Sequence, residues 1–137
     1  MEIFLYGASP EVIGKTVEYI KESFNFPVIS AQHGFQEFDW SKMSSKEKGI
    51  IRIFLVGRGS PLQELWVEKN RKKLEEMECL VFTVGGLLDF WSGTEKRAPG
   101  WMRKLKIEWL YRALSNPKKN LKKTLVSLQL VRFLIKK

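Results

Sequence analysis

Hydrophobic residues in this chain form short continuous runs that alternate with segments of helical period. Four runs predict strands at residues 2–6, 27–31, 50–56 and 79–84. The last two are nearly continuous apolar runs, so they are predicted to be buried. Helices are predicted over residues 10–24, 61–77, 99–114 and 117–135, and residues 32–49 are predicted to be irregular. Elements in this order predict an α/β domain, a mostly parallel sheet with helices on its faces.

The positive charge of the chain is concentrated in its last third. The net charge is +9, but residues 96–137 hold thirteen Lys and Arg and one acid, a net of +12, whereas residues 1–95 have a net of −3. Residues 1–95 are therefore predicted to form the α/β portion and residues 96–137 a basic helical appendage. This asymmetry is typical of proteins with an anionic partner, such as nucleic acid, anionic lipid or a phosphate-bearing substrate. A solvated basic tail that keeps the protein soluble is the alternative.

The composition excludes several classes of site. Cys79 is the sole cysteine, so neither an intramolecular disulfide nor a cysteine-rich metal site can form, and a reducing cytoplasm fits. His33 is the sole histidine, which excludes a histidine-based metal cluster. No apolar run approaches the ~20 residues of a membrane span, and the first residues lack the pattern of a signal peptide. Cysteine-rich and histidine-based metal sites are therefore excluded, and no cofactor is expected.

A glycine motif follows the third predicted strand, from Gly57 through Gly59 to Pro61 and Gln63. It lacks the third glycine of a dinucleotide fingerprint and the lysine-serine pair of a P-loop. One interpretation is a glycine turn that presents backbone N–H groups at a helix start and cradles a phosphate or sugar nucleotide. The other is a capping box, with Ser60 and Gln63 at the required spacing and Pro61 at the first helical position. The residues alone favour the capping box.

The segment after the last predicted strand is where function is expected. Gly85 and Gly86 let the backbone turn sharply, and Asp89 is then predicted to lie in a loop of aromatic and small residues. Open α/β proteins build sites at the carboxyl ends of their strands. Asp89 could hydrogen-bond a ribose there, or it could cap the following turn.

The helices predicted beyond residue 99 also have explanations without a ligand. Glu108 and Arg112 have the i,i+4 spacing of a helical ion pair. The helix predicted over 117–135 has an apolar face with basic edges. Such a helix can lie in the headgroup region of an anionic membrane, or it can pack onto the domain.

Four motifs occur together and in order within some fifty-five residues. They read GxGxPxQE from Gly57, VGGxxDFxxG over residues 84–93, RAPxWM over 97–102 and EWLYR over 108–112. Their residues and spacing resemble the WecG/TagA/CpsF group, glycosyltransferase family 26, and weaker similarity extends to the amino terminus. The resemblance implies a Rossmann-like α/β fold with the basic helices as a membrane-facing appendage.

The resemblance also implies a reaction. Members of this family transfer N-acetylmannosamine, or a related sugar, from a UDP donor to a polyprenyl-diphosphate-linked N-acetylglucosamine. The transfer inverts the sugar configuration, needs no metal and takes place on the inner face of the bacterial cytoplasmic membrane. Its products enter teichoic acid linkage units, enterobacterial common antigen or exopolysaccharide. A peripheral membrane enzyme of the bacterial cytoplasm is therefore expected.

Carried over motif by motif, the resemblance assigns two groups of residues. The UDP-sugar donor would be held by Gly57, Gly59, Gln63 and Asp89. The acceptor diphosphate would be held by Arg97, Arg112, Lys119 and Lys122. The last two are lysines where the family usually has arginines, so their charge is kept and the bidentate geometry is lost.

The catalytic base is not assigned by the resemblance. Family members are usually longer at the amino terminus, and the aspartate proposed as their base lies in that portion. Neither His33 nor Asp39 matches a family motif that would give it this role. If such a portion is absent, we expect the sheet to have an unprotected edge or face that self-association could cover.

Two other functions remain open at this stage. The first is a membrane-associated module that keeps the fold without turnover. The second is a nucleic-acid-binding protein that uses the basic appendage, although the sequence contains no recognised nucleic-acid motif.

Overall fold

The computed structural model describes residues 1–43, 49–105 and 107–115, apart from the side chains of residues 109, 112 and 113. The chain divides into two compact units, Met1–Glu95 and Lys96–Lys137. The helix predicted over 117–135 lies outside the described residues.

The first unit is built on one sheet of four parallel strands in the order β2-β1-β3-β4. The strands are β1 Glu2–Gly7, β2 Val28–Gln32, β3 Arg52–Gly57 and β4 Cys79–Thr83. Each strand begins and ends within two residues of its predicted bounds. The predicted α/β class and parallel sheet are confirmed. Because the strands run in one direction, all four carboxyl ends meet along one side of the sheet, which we call the carboxyl edge.

Short helices connect the strands and lie on both faces of the sheet. They are α1 Pro10–Phe24, α2 Leu62–Lys69, α3 Arg71–Glu76 and α4 Leu87–Trp91, with a 3-10 turn at Trp40–Lys42. The second unit contains α5 Gly100–Lys104 and α6 Glu108–Ser115.

Helix α1 begins and ends as its sequence predicts. The Ser9 hydroxyl accepts a hydrogen bond from the N–H of Val12 at 3.3 Å, and Pro10 is the first helical residue. Asn25 ends the helix in the left-handed conformation, with φ of 52°. The buried face of α1 consists of Val12, Ile13, Thr16 and Ile20.

Two hydrophobic clusters hold the sheet, one on each face, because side chains alternate along every strand. The cluster on the α1 face is formed by Ile3, Leu5, Val12, Ile13, Ile20, Leu55 and Leu88. The cluster on the other face is largely aromatic and is formed by Phe4, Tyr6, Phe38, Met43, Phe54, Val56, Trp66 and Leu74. The residues predicted to be irregular thus contribute Phe38 and Met43 to the core.

The helix predicted over 61–77 is two helices that meet at Asn70. The side chain of Asn70 donates to the carbonyl of Trp66 at 2.8 Å, and its N–H is shared between the carbonyls of Trp66 and Val67. Asparagine competes in this way with regular helical hydrogen bonding. The helix is therefore interrupted at residue 70, and both short helices contact β4.

The prediction that residues 79–84 form a buried strand is wrong. β4 is the last strand of the sheet, and Leu80 and Phe82 are 54% and 51% exposed. Cys79 and Val81, which point to the opposite face, pack against the aromatic cluster. The apolar run of β4 is therefore covered on one face only.

Two further predictions of secondary structure are wrong. Asp89 lies in α4 rather than in a loop, because the fully buried Leu88 pins this short helix onto the sheet. The helix predicted over 99–114 is divided into α5 and α6. The N–H of Ile107 reaches back five residues to the carbonyl of Met102 at 3.0 Å, which ends α5.

Candidate functional site

At the carboxyl edge, the main chain at the end of β1 packs directly on the main chain at the end of β3. A Cβ on Gly7 would lie 2.3 Å from the carbonyl oxygen of Gly57, and Gly7 has a φ of +138°. A Cβ on Gly57 would lie 2.5 Å from a terminal carbon of Leu88. At Gly7 only glycine fits, so the ends of β1 and β3 meet main chain to main chain, while at Gly57 the Leu88 side chain of α4 fills the space that a Cβ would take.

Hydrogen bonds tie the loops of this edge to one another. The N–H of Ala8 donates to the carbonyl of Gly57 at 2.9 Å, and the N–H of Gly34 donates to the carbonyl of Ala8 at 3.0 Å. On the other side of β3, the N–H of Val84 donates to the carbonyl of Val56 at 2.9 Å. The turns after all four strands therefore form one continuous backbone surface.

Gln63 links the glycine motif after β3 to the glycine pair after β4. Its Oε1 accepts from the N–H of Gly85 at 3.0 Å, and its Nε2 donates to the carboxylate of Glu64 at 2.8 Å. The residue is only 5% exposed. These bonds orient the amide, with its oxygen towards Gly85 and its nitrogen towards Glu64.

The predicted capping box is wrong. α2 begins at Leu62, with Pro61 as the residue before it and no side-chain cap. Gln63 points across to Gly85 rather than back to the start of its own helix. The turn reaches α2 through Gly59, which has a φ of +77° and whose carbonyl accepts from the N–H of Gln63 at 3.1 Å. The positive φ of Gly59, which glycine adopts readily, thus leads the chain into α2 without a side-chain cap.

Asp89 is held by the loop that follows α4. Its main-chain carbonyl accepts from the N–H of Glu95 at 3.0 Å and from the hydroxyls of Ser92 and Thr94 at 3.0 and 3.1 Å. The residue is half-buried and lies two positions into α4, which starts from the Gly85–Gly86 turn. α4 is attached to α1 as well, because the buried hydroxyl of Thr16 donates to the carbonyl of Leu88 at 3.1 Å.

An aromatic cavity of about 380 Å³ lies beside the end of β3. The Arg58 guanidinium stands 5.3 Å from the centre of the Tyr6 ring, whose hydroxyl donates to the carbonyl of Gln36 at 2.7 Å. Burial raises the pKa of Tyr6, so the phenol stays neutral. Trp40 and Trp66 stack 5.8 Å apart at the cavity wall. The cavity combines these flat apolar surfaces with two cationic side chains, Arg58 and Lys69.

Sequence reasoning did not single out Tyr6, Arg58 or the tryptophans. One signal was present, since the period-2 alternation of β1 places Tyr6 on the face opposite Leu5. Arg58 lies inside the glycine motif, at a variable position to which the motif assigns no role.

His33 and Asp39 have local structural partners. Nδ1 of His33 accepts from the N–H of Phe35 at 3.3 Å. Asp39 caps the 3-10 turn by accepting from the N–H and the hydroxyl of Ser41 at 3.0 and 2.6 Å. These bonds hold the pKa of Asp39 below its ordinary value, which makes its carboxylate a weaker base. This geometry explains Asp39 as a cap.

The carboxyl edge therefore brings together the glycine motif, the glycine pair and Asp89. The first two are joined by the Gln63–Gly85 hydrogen bond, and Asp89 follows the glycine pair on α4. The sequence model of the glycosyl transferase WecG/TagA/CpsF family matches residues 1–137, the whole chain. The chain belongs to this family. Membership indicates a glycosyltransferase, an enzyme that takes a sugar donor and an acceptor.

In this family member, the first unit brings the four assigned donor residues to the carboxyl edge. Gly57 ends β3 and Gly59 lies in the turn that follows it. Gln63 bonds to the turn after β4, and Asp89 follows that turn on α4. The described residues contain no group of three or more His, Cys, Asp or Glu that could hold a metal ion.

The residues assigned to the acceptor belong to the second unit. Arg97 is exposed and precedes α5, in which Met102 is buried. Arg112 lies in α6, but its side chain is outside the described part of the structure, as are Lys119 and Lys122. The Glu108–Arg112 ion pair therefore stays a prediction. Across the described ranges, no helix is long and apolar enough to span a membrane.

Proposed function

We propose that this chain transfers N-acetylmannosamine, or a related sugar, from a UDP donor to a polyprenyl-diphosphate-linked N-acetylglucosamine. The proposal rests on family membership and on one observation, the hydrogen bond from the N–H of Gly85 to the Gln63 side chain. This bond brings together the turn after β3 and the turn after β4. Parallel α/β sheets bind ligands in such crevices beyond their carboxyl ends.

In the donor site we propose, backbone contacts the diphosphate and a carboxylate contacts the ribose. Gly57 and Gly59 carry no side chains, so the main chain of their turn is what we propose contacts the diphosphate. Asp89 lies on α4 beside the same edge, and a carboxylate accepts hydrogen bonds from ribose hydroxyls. In this scheme Gln63 positions the two turns relative to each other.

The acceptor site we propose uses the basic second unit. Arg97, Arg112, Lys119 and Lys122 would neutralise the diphosphate of the lipid acceptor. The net charge of +12 over residues 96–137 supports attraction to that anion and to an anionic membrane surface. The protein would then act as a peripheral membrane enzyme on the cytoplasmic side of the bacterial membrane, and the same charge would make its binding dependent on salt.

Chemistry at the anomeric carbon requires a base that activates the acceptor hydroxyl and a stabilised UDP leaving group. The transfer we propose inverts the configuration, because one direct displacement by the acceptor hydroxyl reverses the stereochemistry. Backbone N–H groups and cationic side chains would stabilise the departing diphosphate without a metal. None of the described residues is assigned the role of base.

The experiment that tests this function is calorimetric titration of the chain with UDP, repeated on Asp89→Asn. We expect saturable binding by the native chain and loss of at least about tenfold in affinity in the variant, the effect of a charge-assisted hydrogen bond. Asp39→Asn is the matched control, because it makes the same chemical change at a carboxylate that caps the 3-10 turn. Absence of binding by the folded native chain, or equal losses in both variants, would contradict the proposed donor site.

Transfer itself is tested with a UDP-sugar and a short-chain polyprenyl-diphosphate N-acetylglucosamine in vesicles. Product whose anomeric configuration is opposite to that of the donor is expected. UDP binding without any transfer would support the membrane-associated module without turnover.

A further inference from the structure

β4 is an edge strand whose outer side pairs with no other described strand. It forms a parallel ladder with β3 from Arg52–Cys79 to Val56–Thr83, and β3 lies between it and β1. Edge strands in soluble proteins usually carry a lysine, a proline or a bulge that prevents pairing with another chain. β4 reads Cys-Leu-Val-Phe-Thr and has none of these features.

The direction of the backbone groups follows from one hydrogen bond. The N–H of Val84 donates to the carbonyl of Val56, so residue 84 directs its backbone groups towards β3. Backbone groups alternate in direction along a strand, so Leu80 and Phe82 share this direction. Cys79, Val81 and Thr83 therefore direct their N–H and C=O groups to the outer side of the edge.

The side chains of β4 are unequally covered on the two faces. Leu80 lies beside Ile53 and Phe82 beside Leu55 in the ladder, on the α1 face, yet both are more than half exposed. Ile51, just before β3, is 57% exposed. Two large apolar side chains thus flank the central Val81 on one face of an open edge.

We propose that β4 pairs antiparallel with β4 of a second copy of this chain, about a two-fold axis at Val81. In this register Val81 faces its own symmetry mate, and Cys79 faces Thr83 of the other copy. These are the positions with outward backbone groups, so the pairing makes six N–H···O bonds. Leu80 faces Phe82 of the other copy twice, and residues directly opposite in an antiparallel pair lie on the same face.

Other symmetric registers fit the edge less well. A two-fold axis at Leu80 pairs only residues 79–81 and places Phe82 opposite Glu78 of the other copy. An axis at Phe82 leaves Leu80 and Cys79 opposite the turn that begins at residue 84. The axis at Val81 alone pairs all five strand residues and both exposed side chains. This self-complementarity is the reason that a second copy, rather than an unrelated strand, is the occupant we propose.

The size of the contact sets its expected strength. Five paired residues and a few apolar side chains bury less than the ~800 Å² per partner of a standard stable interface. The dimer should therefore be weak and concentration-dependent. It would join two four-stranded sheets into one of eight strands, with the two carboxyl edges at opposite ends. The inference does not depend on the proposed function.

Sedimentation velocity on the full chain over a range of concentrations tests the dimer. We expect the sedimentation coefficient to rise with concentration, and Phe82→Lys and Leu80→Lys to remain monomeric over the same range. Phe35→Lys is the matched control, because Phe35 is 79% exposed and lies far from β4 in the sheet order, after β2. Circular dichroism melting of each variant verifies that it folds. A native chain that stays monomeric, or a dimer unchanged by Phe82→Lys, would overturn the proposal.

A cysteine pair tests the register. In Thr83→Cys, the native Cys79 of one copy faces residue 83 of the other at a hydrogen-bonded pair, where the Cα atoms are ~5.5 Å apart and a disulfide can form. Mild oxidation should give a covalent dimer that a reducing agent dissolves. Cys79→Ser combined with Thr83→Cys should not cross-link, since two residues 83 lie far apart in this register. Equal cross-linking in both variants would refute the axis at Val81.

Discussion

Gln63 and Gly85, 22 residues apart in the chain, are joined by a hydrogen bond of 3.0 Å between the Gln63 side-chain oxygen and the Gly85 N–H. The bond connects two of the four sequence motifs. Because Gln63 is buried, its side-chain oxygen has no ready replacement for this bond in water. We infer that this glutamine positions the turns of the carboxyl edge.

Gln63→Ala should therefore destabilise the protein and weaken UDP binding together. Loss of the amide removes the acceptor of the half-buried Gly85 N–H, which costs about 0.5–1.5 kcal/mol, the net contribution of a typical hydrogen bond. Urea denaturation measures the change in the free energy of unfolding. Gln36→Ala is the control, because Gln36 is exposed and contributes only its main-chain carbonyl to Tyr6, so its effect should stay within about 0.5 kcal/mol. Equal changes in both variants would contradict the role given to Gln63.

The pKa of Glu64 provides a second test of the same amide. The hydrogen bond from Gln63 is the largest cause that holds the pKa of Glu64 below its ordinary value of 4.5. A lowered carboxyl pKa stabilises the fold above the unfolded pKa, and that contribution is lost as pH falls through the folded pKa. In Gln63→Met, the Glu64 pKa should rise towards 4.5, as measured by NMR titration of its side-chain carboxyl. An unchanged pKa in this variant would show that the amide does not act on Glu64.

Two glycines make a matched pair for stability. Gly57→Ala places a Cβ 2.5 Å from Leu88, which is fully buried, so we expect a loss of about 1–3 kcal/mol from overpacking. Gly14→Ala adds a Cβ with nothing within 4 Å on an exposed position of α1, and should gain about 0.5–1 kcal/mol from helix propensity. Thermal and urea unfolding measure both. A neutral Gly57→Ala would show that Leu88 can move away.

Membrane binding is expected to depend on the charge of the second unit. Lys119→Glu combined with Lys122→Glu should weaken binding to vesicles of anionic lipid by at least about tenfold, since each basic residue near such a surface contributes about 1 kcal/mol. Co-sedimentation with vesicles, repeated at high salt, measures the effect. Lys21→Glu with Lys72→Glu makes the same charge change in the first unit and should have less effect. If both pairs weaken binding equally, net charge rather than the appendage determines it.

The parallel sheet could be predicted because each strand is a short apolar run bounded by glycine or proline. The start of α1 could be predicted in the same way, since Ser9 and Pro10 are residues typical of a helix start. These patterns predict local structure, and such predictions hold when the tertiary contacts favour the same local structure.

The predictions that were wrong depend on contacts between segments that are distant in the sequence. An apolar run cannot reveal that, among the described strands, β4 has a neighbour on one side only, so its exposure was missed. Gln63 has the spacing of a cap, but its partner is a residue after the next strand. α4 is too short for helical periodicity to be detected, and it is held by Leu88 against the sheet. Arg58 and Tyr6 meet only because β1 and β3 are neighbours.

The contact of Gly7 with Gly57 also bears on how the family can diversify. Groups offered by main chain at that contact cannot be altered by substitution, because any side chain there would collide with the neighbouring strand. Whatever part of a ligand they bind must be common to all substrates that such an edge accepts. Preference for one sugar over another would then evolve through rim residues such as Arg58, whose side chain can be exchanged without disturbing the strands beneath it. Exchange of rim residues between relatives should therefore change sugar choice while leaving nucleotide affinity unchanged.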